Sequence, residues 1–438
     1  MKQQRTPGTG ARSTAWGQGC DCWVPVHPDI SRGRLVPIPW PGSERFAACS
    51  PVVYSADARR PPGPPSFAIV NDKTIISHPG RARWTGAVVV LMALVGAACG
   101  TNNNSTKTAS NPSAKTSVQC ASGTISGAGS TFVQTIMQQW IKDYAAACPG
   151  ATVNYQGVGS GAGIQQFTAG TVDFAGSDVA MKPEEETAAQ AKQGAVLHIP
   201  WSSGGIAVEY NVKNVSDLKL TPETLAGIFA GKIVKWDDPA IKADNSGAAL
   251  PSEGIQVIHR SDGSGTTAAF TSYLTATAGS IWKAGAAKDV PWPTGQGAKG
   301  SDGVTAAVKQ TEGGIGYAEL SFAKSTSLGV ARIKNPAGSW VVPDGSSVAA
   351  ALTSATVPPN LKIQINYTPP DPTAYPISTT TFVLVAQKPA DPVKAKLLKA
   401  FVLYALGPGQ QAADGLFYAP LPSSLVSQAK TVAESIQG

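Results

Sequence analysis

The sequence predicts an α/β protein. From residue 119 onward, strand-like and helix-like segments alternate, and Gly and Pro cluster between them where the chain must turn. Three short Gly/Ser loops also each fall between a predicted strand and a predicted helix.

The elements follow in order. Phe132, Val133, Ile136, Met137, Trp140, Ile141 and Tyr144 recur at the helical period and form one apolar face, with Ser130 or Thr131 as the N-cap. Thr152–Gln156 reads as a strand running into the glycine loop Gly157–Gly163. A short helix over Ile164–Ala169 and a strand over Thr171–Ala175 come next. Thr221 caps a helix whose first position is Pro222, where the missing N–H has no intrahelical partner to lose. Ile255–His259 is a strand that delivers the loop Arg260–Thr266, and the helix Thr267–Leu274 follows at once. Near the C-terminus, Thr380–Ala386 is a strand. Pro392–Leu406 is a helix with Val393, Leu397, Leu398, Phe401 and Val402 on one face. No internal repeat and no second membrane segment is evident.

The 438 residues leave room for two or three domains and a large core. A formal charge of +7 looks suited to nucleic acid, but its location argues otherwise. Residues 1–99 carry 11 Lys/Arg against 5 Asp/Glu, and the remainder holds 24 against 23. No basic stripe with interleaved aromatics survives in that remainder, so nucleic acid is excluded as a partner.

The charge boundary coincides with a targeting signal at 81–98. Arg81 and Arg83 precede the apolar run Ala87–Val95, which is too short to span a bilayer and ends in Leu94-Val-Gly-Ala-Ala-Cys99. A cysteine directly after small residues resembles the lipobox of bacterial lipoproteins, which implies that Cys99 is diacylated and becomes the mature N-terminus. An ordinary cleaved signal with a chance cysteine is the alternative. The protein is thus expected to be exported and lipid-anchored to the outer face of the cell membrane, with 99–118 as a polar tether. Residues 1–80 are expected to stand outside the fold. They are either a disordered extension or the product of too early an assigned start, with Val70 a candidate start codon. Cys20, Cys22 and Cys49 then drop out. Cys120 and Cys148 remain, an even pair in an oxidising setting, so a disulfide is the natural reading and two buried free thiols the alternative. The bridge would close a loop of roughly 29 residues, worth about 3 kcal/mol.

The chemistry gathers in the three small-residue loops, Gly127–Phe132, Gly157–Gly161 and Gly263–Thr266. Helix N-termini present unpaired N–H groups and the positive end of the macrodipole. Glycine allows close approach and Ser/Thr hydroxyls add donors, so the set suits a small oxyanion. Satisfied structural turns are the competing reading for each loop.

The sequence also resembles the PstS family, the phosphate-binding components of bacterial Pst transporters. Gly127-Ala-Gly-Ser-Thr-Phe, Tyr155-Gln-Gly-Val-Gly-Ser-Gly-Ala-Gly, Val172-Asp-Phe-Ala-Gly-Ser-Asp178 and Arg260-Ser-Asp-Gly-Ser-Gly-Thr-Thr match the family's segments. Trp292–Val304, Gly313–Tyr317 and Tyr375–Phe382 look like further landmarks, so the resemblance covers roughly 119–438. It implies a two-lobed periplasmic-binding-protein fold with a ligand cleft between lobes and two interlobe crossings. Lobe one would be 119–198 plus 377–438, and lobe two 199–376. It implies phosphate contacts from Thr131, the Phe132 backbone, Ser160, Asp178, Arg260, Ser264, the Gly265 backbone and Thr266, with Asp262 holding the Arg260 guanidinium. Where the family often has Gly-Ser-Ser-Gly-Gly, this chain has Gly159-Ser-Gly-Ala-Gly163, so position 161 offers backbone only. The implied partners are inorganic phosphate and the permease and ATPase subunits of an ABC importer, with the protein acting as a monomer and without cofactor or metal.

The residues fit that chemistry. Arg260 supplies a planar fork, and charge-assisted hydrogen bonds are worth about 1.5–3 kcal/mol each. Asp178 makes sense as an acceptor for the proton that phosphate keeps and sulfate lacks. A receptor for sulfate or molybdate is the alternative within binding proteins, and a secreted phosphatase is the alternative outside them. Gly157-x-Gly159-x-x-Ala162 with Asp178 downstream formally matches a dinucleotide fingerprint. Export, the other two loops and the lack of a βαβ continuation demote it. Neither Ser160 nor Ser264 lies in Gly-x-Ser-x-Gly, and neither His198 nor His259 has an evident orienting carboxylate, so no enzyme is expected.

Overall fold

A computed structural model describes residues 26–29, 34–37 and 118–438. The signal segment, Cys99 and nearly all of the tether lie outside the described residues, as do Cys20, Cys22, Cys49 and Val70. The chain divides into two compact units, Met1–Asn104 and Ser105–Gly438. In the first, Val26–Asp29 pairs antiparallel with Arg34–Pro37, a pairing not read from the sequence.

The second unit is built on one mixed sheet. Its principal strands are β1 (Gly123–Gly129), β2 (Ala151–Gly157), β3 (Phe174–Ser177), β4 (Val196–Asn211), β5 (Gln256–Arg260), β6 (Gln296–Ala298), β7 (Gly314–Glu319) and β8 (Ser378–Ala386). The spatial order is β2-β1-β3-β8-β4-β7-β5-β6. Parallel pairs β1/β2, β1/β3, β7/β5 and β5/β6 sit at the two ends, and antiparallel β8 and β4 lie between them.

β4 joins the two ends. Val196–Gly205 pairs with β8, and Ile206–Asn211 pairs with β7, so a single strand passes from one half of the sheet into the other. The chain returns through β8, whose register shifts between Thr381 and Phe382. Each half has its own aromatic packing. In the first, Trp140 meets Trp201 at 5.4 Å and Tyr144 meets Phe401 at 5.4 Å; in the second, Phe270 stacks on Tyr317 at 4.4 Å and meets Phe229 edge-on at 4.9 Å.

The predicted periodicities mark real faces. Ile136, Met137, Trp140 and Tyr144 are buried on the helix Gln134–Ala147, and Leu397, Leu398, Phe401 and Val402 on Pro392–Ala405. Val393 departs from its expected face and is 55% exposed, because it lies in the first turn, at the rim. Thr221 caps Pro222–Phe229 by accepting the Thr224 N–H at 3.3 Å. Cys120 and Cys148 form a disulfide that ties the start of the fold to the end of the first helix.

Several boundaries differ from expectation, among them the helix expected from Thr267, which begins at Gly265. The first helix begins at Gln134, so neither Ser130 nor Thr131 caps it. The Ser130 hydroxyl accepts the Phe132 N–H at 3.0 Å, and the Thr131 hydroxyl is engaged with Ser301 instead. The second helix begins at Ser160, not at Ile164, which shortens the glycine loop. The third strand begins at Phe174, and Thr171–Asp173 bend before it.

Candidate functional site

All three Gly/Ser loops end at one place, the seam between the two halves. β1 delivers Ser130, Thr131 and Phe132; β2 delivers Gly159 and Ser160; β3 delivers Asp178; β5 delivers Arg260–Thr266. Two glycines allow the loops to touch. Gly159 has φ +89°, and a Cβ there would lie 2.2 Å from Asp262 Oδ2. A Cβ on Gly265 would lie 2.6 Å from Ser160 Oγ and 2.7 Å from the Asp178 backbone nitrogen.

Ser160, Asp178, Gly265 and Thr266 are in direct contact. Ser160 Oγ accepts the Gly265 N–H at 3.1 Å and the Asp178 N–H at 3.5 Å. Asp178 is 2% exposed, and each of its carboxyl oxygens takes a hydroxyl donor at 3.0 Å, Thr266 on Oδ2 and Thr381 on Oδ1. Across the same seam the Gly161 N–H donates to the Gly263 carbonyl at 2.8 Å, which is the backbone role the missing hydroxyl at position 161 leaves open.

Arg260 is aimed by its neighbours. Nε donates to Asp262 Oδ1 at 2.8 Å and Nη2 to Oδ2 at 2.5 Å, with the guanidinium side chain 1% exposed. Those bonds use one edge of the guanidinium and leave the Nη1 edge facing Ser301 Oγ at 3.5 Å. Asp262 also accepts the Gly300 N–H at 3.0 Å. Thr131 reaches this corner, its Oγ1 lying 2.9 Å from Ser301 Oγ and accepting the Ser301 N–H at 3.0 Å. Ser264 Oγ accepts the Thr267 N–H at 3.1 Å as an N-cap, so its own hydroxyl proton remains free to donate. The Phe132 N–H points to Ser130 Oγ, and its carbonyl accepts Tyr418 Oη at 2.5 Å.

The electrostatics divide the two acids. Burial pushes the Asp178 carboxyl above its ordinary value, against the opposing pull of hydroxyls from Ser130, Thr381 and Thr266 and the charge of Arg260. For Asp262, burial also pushes upward, but the Arg260 guanidinium and the Gly300 N–H outweigh it and hold the carboxyl below the ordinary value.

Sequence reasoning missed four residues. Ser301 and Gly300 open the helix Gly300–Gln310 and supply a fourth helix N-terminus at the site, 0% exposed at Ser301. Their Gly-Ser signal was present, inside a segment read only as a family landmark. Ser130 and Thr381 lie beside predicted residues; Thr381 bonds to Asp178 only through the tertiary fold, and the Ser130 hydroxyl lowers the pKa of the same carboxyl. The two histidines lie apart from this chemistry. His198 Nε2 accepts the Met181 N–H at 3.2 Å, burial pushing its pKa down to about 4, and His259 stacks on Trp292 at 4.7 Å. Among the described residues, no group of three or more His, Cys, Asp or Glu could hold a metal, and no helix is long and apolar enough to cross a membrane.

A sheet shared by two halves, with hydrogen-bond donors converging at the seam, defines a solute-binding protein of the two-lobed periplasmic type. Comparison with known proteins agrees. The PBP superfamily domain matches residues 114–408. The chain is similar to phosphate-binding protein PstS 3 of Mycobacterium tuberculosis, 39% identical over 368 residues that cover 81% of this chain and 99% of the relative. It is similar to phosphate-binding protein PstS of Xylella fastidiosa, also 39% identical, over 71% of this chain and 85% of the relative. Among solved structures it resembles a high-affinity periplasmic phosphate-binding protein, PfluDING, bound with phosphate, at TM-score 0.60 and 24% identity, covering 70% of this chain and 93% of that one. The chain belongs to the PBP superfamily and, within it, to the PstS family.

Proposed function

We propose that this protein captures inorganic phosphate outside the cell membrane and delivers it to an ABC importer, and that it is a binding protein and not an enzyme. The convergence of donors around one carboxyl carries this reading. On this reading the hydroxyls of Thr131, Ser160, Ser264 and Thr266, the N–H groups of Phe132 and Gly265, and the Nη1 edge of Arg260 turn from their protein partners to the anion, beside the carboxyls of Asp178 and the Arg260-bound Asp262. Such a set offers many donors to an anion and one acceptor to a proton that the anion carries.

The acceptor is what separates phosphate from sulfate. Each Asp178 oxygen holds one hydroxyl and retains a further lone pair, so a phosphate O–H can donate to it. A fully ionised tetrahedral anion brings only lone pairs to a carboxylate, and the repulsion counts against it. Phosphate would bridge loops of both lobes, 119–198 plus 377–438 and 199–376, and so favour the closed state. An acyl chain on Cys99 would keep the monomeric receptor at the membrane.

Calorimetric titration of the purified protein with phosphate and with sulfate tests the core of this reading. Phosphate is expected to bind and sulfate to bind far more weakly, with no turnover of phosphomonoesters. Equal affinities, or hydrolysis that vanishes in a Ser160 or Ser264 variant, would overturn it. For the anchor, Cys99→Ala should release the protein from membranes or leave the precursor uncleaved.

A further inference from the structure

The helix Pro183–Gln193 opens with Glu184, Glu185 and Glu186, an acidic first turn that complements the helix dipole and by itself says nothing more. Two of the three, however, are paired with lysines of the segment 199–376, the proposed second lobe. Lys288 Nζ lies 2.5 Å from both oxygens of Glu185, and Lys362 Nζ pairs with Glu186 Oε2. The Lys288 side chain is only 9% exposed and that of Glu185 24%. These are not the mobile surface pairs that contribute little to any equilibrium.

Both lysines are rooted in elements that matter. The Lys288 carbonyl accepts the Ser264 N–H at 2.8 Å, so the residue that grips this helix also holds the loop Arg260–Thr266. Lys362 belongs to the segment 353–376. That segment is tied down by the Asn335 amide, which donates to the carbonyls of Pro372 and Ala374, and by the Tyr375 N–H, which donates to the Ser347 carbonyl. Glu185 has a second duty, accepting the Lys182 N–H at 2.9 Å in a capping box. The helix therefore meets the opposite half at two separate points, each through a charge whose partner is fixed at its base.

We propose that Glu185–Lys288 and Glu186–Lys362 form an interlobe clasp that positions the Arg260–Thr266 loop against Ser160 and Asp178 and sets how long the closed protein holds its anion. This rests on the phosphate reading above. None of the four residues belongs to the proposed contact set; they are positioning residues. Opening the seam must break both pairs together with the Ser160–Gly265 and Asp178–Thr266 hydrogen bonds. Their contribution exists only in the closed state, so it enters the rate of release and not the rate of capture. Lys182 and Glu184 are further charges near Lys288, and His198 faces the second pair.

Stopped-flow capture and release of inorganic phosphate by the purified protein tests this. Lys288→Met and Lys362→Met should each release phosphate about 3- to 10-fold faster, with capture rates within about twofold of the parent. Lys288→Arg should keep slow release, and the swap Glu185→Lys with Lys288→Glu should release more slowly than Lys288→Glu alone. Raising NaCl from about 0.05 to 0.5 M should speed release from the parent more than from the double Met variant, since exposed parts of the pairs are screened. Well-folded Met variants that release phosphate at the parent's rate, with the parent's salt response, would overturn the clasp. A parent protein that binds no phosphate would overturn the function itself, which is a different result.

Discussion

The seam and the interior of the second half both bury carboxyl groups, and they treat them differently. At the seam, Asp178 has a hydroxyl on each oxygen and Arg260 nearby. In the second half, Glu209 is fully buried and receives one donor, the Thr305 hydroxyl on Oε2 at 3.0 Å, while its Oε1 has no partner. Glu319 is similar. Oε2 accepts the Ser321 N–H at 3.0 Å and lies against the Ser321 hydroxyl, and Oε1 has no partner. Burial pushes both glutamates up to about 8. A bare oxygen is tolerable on a neutral carboxyl and costly on a carboxylate. On the phosphate reading, the contrast separates an acid that accepts a ligand's proton from acids that keep their own.

The sharpest way to break that contrast is to remove the fork that supports the seam. Arg260→Lys should weaken phosphate binding about 100-fold, because an ammonium cannot satisfy Asp262 bidentately and still present an edge to the anion. Near-parental affinity by calorimetry would make Arg260 a purely structural residue. A smaller effect is expected from Asp178→Asn, which should leave the fold intact and improve sulfate competition about 10-fold, since the amide offers a donor and no charge. Asp178 is not a helix cap; the next helix is capped at Lys182. Unchanged sulfate rejection in competition titrations would show that donors alone set the selectivity. In the parent, burial has moved Asp178 toward its neutral form, so sulfate should compete better as the pH is lowered.

The interior acids give the smallest effect. Glu209 moves from 4.5 in the unfolded chain to about 8 when folded. Between those values the folded protein holds a proton that the unfolded chain has released. Its contribution to stability is therefore full below about pH 4.5 and is lost as pH rises through 8. Glu209→Gln should flatten part of this fall, raising the melting temperature at pH 8–9 by a few degrees, a ΔΔG of about 1 kcal/mol. A parallel pH profile in the variant would mean that Glu209 is ionised in the folded protein and that the contrast with Asp178 is false.

Much of the seam was legible in sequence because its signals are local. Gly127–Phe132, Gly157–Gly161 and Gly263–Thr266 each carry donors and a helix start within a few residues, and the apolar faces of Gln134–Ala147 and Pro392–Ala405 repeat at the helical period. What escaped depends on distant pairing. Ser301 matters because it meets Thr131 across 170 positions, and Lys288 because it meets Glu185 across 103. Glu209 and Glu319 look like any strand glutamates until β4 and β7 bury them. The misplaced cap has the same origin: Thr131 is a good local N-cap whose hydroxyl a tertiary partner takes.

β4 also has a consequence for the order in which the fold can be completed. Its first ten residues bond to β8, and β8 emerges from a growing or translocating chain only after the whole second half has passed. Even with β1, β2 and β3 gathered, the sheet of the first half stays open at one edge until Ser378–Ala386 arrives. Closing that edge requires bringing Gly205 to Ser378 across the whole second half, the kind of distant contact that slows folding and leaves a strand unpaired in the meantime. A chain cut short before Ser378 would thus lose more than its C-terminal segment. It would leave Val196–Gly205 as an exposed template for self-association.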